Sequence, residues 1–344
     1  MSRFAGARLS WLGHGVAILA GVIAERLTAQ LLAGPPATDP VAVAERLVAI
    51  QAQDPRGARL AVRARTKGLT ATDVDRALTE DRSLVVTWLN RGTLHLVRSE
   101  DYAWLHALTT PPLFTGNARR LAQEGVSPSH AERGVATIER SLADEGPLTR
   151  FDLRDRLDRA DVPTKGQALV HILALASLQG LVVRGPMVGR QHAYVLVRDW
   201  LGPQRRVDRD QALAELARRY LAGHGPATDR DLAKWAGLPM RDARKGLAAI
   251  AGGRPRRAPL PPPRLLGAFE PVLLGWASRD WIEGAGQLVS GGVFRPFALA
   301  GDRAVATWSV RDGEVVLEPF APFDSAVARA LEDDARDVAR FLAT

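Results

Sequence analysis

Apolar residues recur at helical spacing through most of the first 250 positions and then, beyond a Pro- and Gly-rich stretch, alternate as in strands. The chain therefore reads as helical units followed by a β-rich end. "GVAILAGVIA" (15–24) runs into "ERLTAQLLAG" as one amphipathic helix ending at Gly34-Pro35. "VAVAERLVAIQAQDP" (41–55) has the apolar spacing of a helix facing a core and is stopped by Asp54-Pro55. "DVDRALTEDRSLVVTWLNRGTLHLV" is a short helix followed by strands at Leu84 to Leu89 and Thr93 to Val97, joined by Asn90-Arg91-Gly92.

A repeat organises the middle. "GPLTRFDL" begins at Gly146 and "GPATDRDL" at Gly225, 79 residues later, with Thr149 and Thr228 placed to cap a short helix. Each copy then shows a helix (150–159; 229–236), a tight turn, and a second helix (about 165–179; 240–251). After the first copy, "GLVVRGPMVGRQHAYVLV" reads as a hairpin with Arg184 and Arg190 around its tip. Helices followed by a hairpin are the layout of a winged helix.

The expected fold class is α+β, mainly α, with three tandem winged-helix units in a C-shaped arrangement and a C-terminal β-rich domain. The boundaries are 1–115, 116–204, 205–262 and 263–344. In the last part "VFRPFALA", "RAVATWSV" and "EVVLEPF" alternate, separated by Gly301-Asp302 and Asp312-Gly313, and "AVARALEDDARDVARFLA" closes the chain as a helix.

Composition narrows the function. Forty-six Lys+Arg against 38 Asp+Glu give a net charge of +8, and Arg far outnumbers Lys, which suits a polyanionic partner; the compositional bias of a GC-rich genome explains the same excess. There is no cysteine, so disulfides, thiol nucleophiles and cysteine metal sites are excluded. This suits a cytoplasmic protein. The N-terminal apolar stretch is too short to span a bilayer, and no membrane association is expected.

Familiar enzyme signatures are missing: no P-loop, no G-x-G-x-x-G after a strand, no H-E-x-x-H and no G-x-S-x-G. His95, His171 and His192 fall within predicted strands or helices and read as structural, as do Trp88 and Trp308. The basic hairpins carry more meaning, because exposed cations on protruding turns suit phosphate contact. Gln51 and Gln53 pose the sharper question. Two residues apart on a regular helix point about 200° away from each other, so they converge only if the helix unwinds near Asp54-Pro55. On the residues alone they are first polar side chains at a helix end and second candidates for catalysis.

Three stretches resemble one known family. "ERLVAIQAQDPRGARLAVRAR", "LVVTWLNRGTLHLV" with "EDYAWL", and "GVFRPFALAGDRAVATW" with "LEPF" are similar to the AlkZ-like (YcaQ-like) bacterial DNA glycosylases, over about residues 25 to 321. The resemblance implies three tandem winged helices, a β-rich end, and excision of N7-alkylated guanines or unhooking of interstrand crosslinks. It implies a catalytic signature of Gln, an apolar residue, then Gln or Asp, matched here by Gln51, Ala52 and Gln53. The Gln-x-Gln form resembles the branch associated with crosslink unhooking and self-protection against DNA-alkylating natural products.

Chemistry accounts for amides at such a site. Ordinary glycosidases protonate the leaving group with a carboxylic acid, whereas an N7-alkylguanine is already cationic and departs neutral. What remains is to place a water and to stabilise positive charge on the sugar, tasks within the reach of amide carbonyls. Gln53 is expected to position the water, and Gln51 to share that task and stabilise the cation. DNA contacts are expected from the arginine of the Pro55-Arg56-Gly57 turn and from Arg91, Arg184, Arg190 and Arg295. The expected partner is double-stranded DNA containing alkylated guanine, the expected state a monomer, with no cofactor and no metal. With no lysine near the glutamines, a lyase step has no support. The alternative is a non-enzymatic winged-helix DNA-binding transcriptional regulator.

Overall fold

A computed structural model describes residues 21–204, 207–250 and 259–343. Helix α1 covers 21–29; the earlier part of the helix expected there lies outside the described residues. Helix α2 (Pro40–Leu47) starts on Asp39, whose carboxylate accepts the Ala42 N–H at 2.8 Å, with Pro40 at the first turn where it loses no hydrogen bond. The helix expected across 41–55 is instead broken early: Val48 takes φ +66°, and the chain runs on as a short strand β1 (Ile50–Gln51). Two forces favour the break. Pro55 disfavours helix in the residue before it, and the extended backbone finds ladder partners in a neighbouring hairpin. Asp54 then caps α3 (Pro55–Arg63) by accepting the Arg56 N–H at 2.9 Å.

Helix α4 (Ala71–Thr79) leads into strands β2 (Leu84–Leu89) and β3 (Thr93–Arg98), then α5 (Tyr102–Thr109) and α6 (Leu113–Gln123). The middle stretch gives α7 (Pro128–Glu145), α8 (Arg150–Arg159), α9 (Ala168–Leu178), β4 (Val182–Val188), β5 (Gln191–Leu196) and α10 (Val197–Trp200), the expected order of helices and hairpin. Next come α11 (Arg209–His224), α12 (Asp229–Ala236) and α13 (Met240–Ala248). The C-terminal part holds β6 (Arg264–Leu266), α14 (Pro271–Leu274), β7 (Val289–Ser290), β8 (Val293–Phe294), β9 (Phe297–Ala300), β10 (Arg303–Arg311), β11 (Glu314–Pro319) and α15 (Ser325–Leu342).

The capping threonines do what the repeat implied. Thr149 and Thr228 each form a capping box with the aspartate three residues on, Asp152 and Asp231. A third box, Thr70 with Asp73, opens α4. Thr70 precedes Thr149 by the same 79-residue interval (149 − 70) that separates Thr149 from Thr228. The Gly-Pro that marks the other two copies is absent ahead of Thr70, and α4 passes straight into a strand.

The two hairpins do not project separately. They lie side by side in one five-stranded sheet of order β1-β3-β2-β4-β5, joined where Val86 pairs with Arg184. A second sheet, β11-β10-β9-β6, packs against α15. Arg63, buried on α3, ties these parts together by pairing with Asp334 at 2.8 Å and donating to the Leu265 carbonyl at 2.7 Å. Helix α9, which in a DNA-reading winged helix would enter the major groove, has eight of its eleven residues buried. It is core, not a groove reader.

Candidate active site

Gln51 and Gln53 meet because the segment is a strand and not a helix. In extended chain, residues two apart share a face, and the Gln51 Nε2 donates to the Gln53 Oε1. Gln51 is buried, held in the ladder opposite His95, while Gln53 is exposed. Ala52 between them is buried on the opposite face and anchors the segment through its N–H to the Leu94 carbonyl at 2.8 Å. The convergence anticipated near Pro55 thus occurs, with the unwinding placed earlier, at Val48.

The register puts Thr87, His95 and Gln51 in one row across β2, β3 and β1. His95 is wholly buried; desolvation first, and the Arg91 charge second, push its pKa down from 6.5 to about 3, so the imidazole is neutral at physiological pH. Its Nδ1 lies 2.9 Å from the Thr93 carbonyl, which fixes the proton there and leaves Nε2 as an acceptor. The Gln51 Oε1 is enclosed with no hydrogen-bond partner, as are the Thr87 Oγ1 and both polar atoms of the Asn90 side chain. An enclosed, unpaired carbonyl oxygen presents the negative end of its dipole unscreened by solvent. The carboxylate next in sequence, Asp54, is occupied in capping α3. Sequence reasoning set His95 aside as a strand residue; only the ladder register shows that it faces Gln51.

The arginines separate into two groups. Position 57 is a glycine, Gly57, which packs against the Ala268 carbonyl; the arginine of that turn is Arg56, exposed and free of side-chain partners among the described residues. Arg190 is likewise exposed, at the turn between β4 and β5. Arg295 is half exposed and pairs with Glu318 at 3.3 Å. Arg184, expected at the hairpin tip, lies mid-strand with its guanidinium over Trp88 (4.8 Å) and Tyr194 (5.0 Å). The hairpin is longer than the Gly185-Pro186 pair suggested, because Pro186 is absorbed at a ladder irregularity between Arg184 and Met187. Arg91 is not a free cation on a protruding tip either: it donates to the carbonyls of Lys234 and Trp235 in the last turn of α12, and its backbone abuts Gly237. Its charge serves the C-terminus of a helix.

Two concavities stand out, and neither includes the glutamines. One of about 860 Å³ lies between α8 and the 161–166 turn, lined by residues including His130, Arg154 and Lys165. One of about 380 Å³ lies on α12, beside Arg230, Lys234 and Met240. The 267–270 loop packs on the start of α3, where Gly267 and Ala268 press against Gly57, four residues after Gln53. No group of His, Asp and Glu suited to a metal ion occurs among the described residues, and none of their helices is long and apolar enough to cross a membrane.

Comparison with known proteins agrees with this architecture. The family model described as "DNA glycosylase AlkZ-like" matches residues 44–341. The interstrand DNA cross-link repair glycosylase of Streptomyces sahachiroi is 28% identical, the match covering 93% of this chain and 95% of that protein. The solved structure of the Streptomyces sahachiroi DNA glycosylase AlkZ superposes with a TM-score of 0.73 at 25% identity, covering 94% of this chain and 96% of that one.

Proposed function

This chain belongs to the AlkZ-like DNA glycosylase family, and from that premise we propose that it hydrolyses the N-glycosidic bond of N7-alkylated guanine in double-stranded DNA, bulky adducts and interstrand crosslinks included. The observation that carries the reading is that neither amide is paired with a carboxylic acid or a charged imidazole among the described residues. Gln51 and Gln53 are neutral, the imidazole facing Gln51 has no proton to give at neutral pH, and Asp54 is turned to its helix. Such a site cannot assist the departure of an ordinary guanine. It suffices for a purine whose positive charge already makes it a leaving group.

The division of labour follows from the geometry. The Gln53 Oε1 accepts one hydrogen bond from Gln51 and keeps a second lone pair, exposed, for a water on the far face of C1′. The enclosed Gln51 Oε1, unpaired among the described residues, supplies in this reading a fixed dipole for the positive charge that develops on the sugar. The exposure of Gln53 supports approach to a lesion that cannot swing out of the duplex, as one tethered to both strands cannot. A labelled duplex with one N7-methylguanine, and a second carrying a guanine-to-guanine crosslink, test this directly. Enzyme-dependent alkali-labile breaks and separated strands are expected; intact substrates after prolonged single-turnover incubation would refute it. A regulator would instead bind undamaged DNA by sequence and leave both substrates intact.

A further inference from the structure

We infer that Phe269 is the platform on which the damaged purine stacks, and that its ring selects a cationic base; the inference rests on the N7-alkylguanine reading above. Phe269 sits in the 267–270 loop, which is fixed on both sides. Before it, the Ala268 carbonyl lies where a Cβ on Gly57 would be only 2.3 Å away. After it, Glu270 is fully buried and paired with Arg65 at 2.5 Å. Gly57 is in the first turn of α3, four residues after Gln53. The loop is thus held rigidly on the segment that follows the amide pair.

Between two buried neighbours Phe269 is half exposed, and its φ is +54°. That left-handed conformation is natural for glycine and rare for a bulky side chain. Phe269 joins none of the four apolar cores; its ring contact is with Phe294 of β8, at 5.6 Å and tilted by 48°. Arg279 lies over Phe294 in turn, at 5.1 Å. A strained, partly exposed aromatic on a loop locked against the first turn of α3 has the marks of a residue kept for its ligand. Its π-face would attract an N7-alkylguanine more strongly than guanine, because the alkylated ring carries the positive charge that the face of an aromatic ring favours. Stacking leaves the base free of a tight pocket, in keeping with the open surface around Gln53.

The test separates a platform from a structural residue. Phe269→Gly removes the ring and suits the positive φ, so its melting temperature should equal or exceed the parent's. Binding of the full chain is measured by fluorescence anisotropy to three duplexes. One carries 2′-fluoroarabino-N7-methylguanine, cationic and resistant to hydrolysis, one its neutral isostere 7-methyl-7-deazaguanine, and one unmodified guanine. The parent should prefer the cationic duplex; Phe269→Gly should lose about tenfold in that preference, with affinity for the other two duplexes unchanged, and Phe269→Trp should keep it. Single-turnover excision of N7-methylguanine should fall in parallel for Phe269→Gly. A Phe269→Gly protein that keeps the preference, weakens equally on all three duplexes, or unfolds would overturn the proposal alone. A parent chain that neither prefers nor excises the cationic base would overturn the functional reading and this inference with it.

Discussion

Gln51 and His95 face each other across the β1–β3 ladder, a neutral amide opposite an imidazole held neutral by burial. If catalysis needs no proton donor, excision should not follow the titration of any group near neutrality. Single-turnover rates on N7-methylguanine DNA are expected to vary by less than about threefold between pH 6 and 8. A limb with an apparent pKa near 6.5 would mean that an imidazole does supply a proton, and would sink the acid-free mechanism.

The amide pair should be unequal in its effects. Gln53 carries the oxygen exposed for the water, so Gln53→Ala should slow excision by about 100-fold, the cost of removing one positioned dipole from a reacting centre. Gln51→Ala removes the enclosed dipole and the donor that orients Gln53, and should cost a similar factor. Because the two act through one hydrogen bond, the double alanine variant should lose less than the product of the single losses. DNA affinity should change little in all three. Full independence of the two losses would show that the contact between the side chains has no part in the chemistry.

Much of this fold could be read before any coordinates. Helices at 150–159 and 229–236 and the strand at Leu84–Leu89 appear with the bounds that capping threonines and apolar alternation imply. Where the reading failed, information from distant parts of the chain decided the outcome. Apolar spacing across 41–55 fits a helix, yet Ile50 and Gln51 become strand because β3, more than 40 residues on, offers backbone partners. Arg91 and Arg184 look like hairpin-tip cations until α12 and the Trp88–Tyr194 pair claim them. The Gln-x-Gln motif was legible through resemblance to a family; its convergence, and the imidazole opposite it, depend on ladder register, which no local pattern specifies.

That sorting of arginines predicts a split between binding and stability. Arg56→Ala and Arg190→Ala remove exposed, unpaired cations, and each should weaken binding to any duplex and reduce the slope of log K against log salt by about 1. Arg91→Ala should leave that slope alone. It should instead lower unfolding free energy by about 1.5–3 kcal/mol, because the carbonyls of Lys234 and Trp235 lose a charged donor at the end of α12. Salt titrations and urea melts on the three variants decide the matter; a salt slope reduced by Arg91→Ala would return that residue to the DNA interface.

Buried histidines should make the protein acid-sensitive well above the carboxylate range. His95 and His224 are both almost wholly buried, and desolvation lowers each pKa from 6.5 to about 3. Between those values the unfolded chain binds protons that the folded chain does not, so stability is complete above pH 6.5 and falls as pH drops toward 3. At pH 5 the loss is about 2 kcal/mol for each histidine, taking 1.36 kcal/mol per unit over the 1.5 units below 6.5. Urea unfolding at pH 7.5 and pH 5 should therefore differ by about 4 kcal/mol from these two groups; His192, whose pKa burial likewise lowers to about 3, adds a comparable loss, and His106 and His171, lowered in the same direction, add to it. Asp73 and Asp152, whose carboxyls are held below their usual range by hydrogen bonds from Thr70 and Thr149, add their own loss only at lower pH. His224 stacks on Tyr220 at 4.6 Å and meets the Trp276 ring edge-on at 5.6 Å, an aromatic setting that a phenylalanine can fill. His224→Phe is thus expected to stay folded and to reduce the difference between the two pH values by about 2 kcal/mol; an unchanged difference would mean that the imidazole of His224 accepts its proton in the folded state.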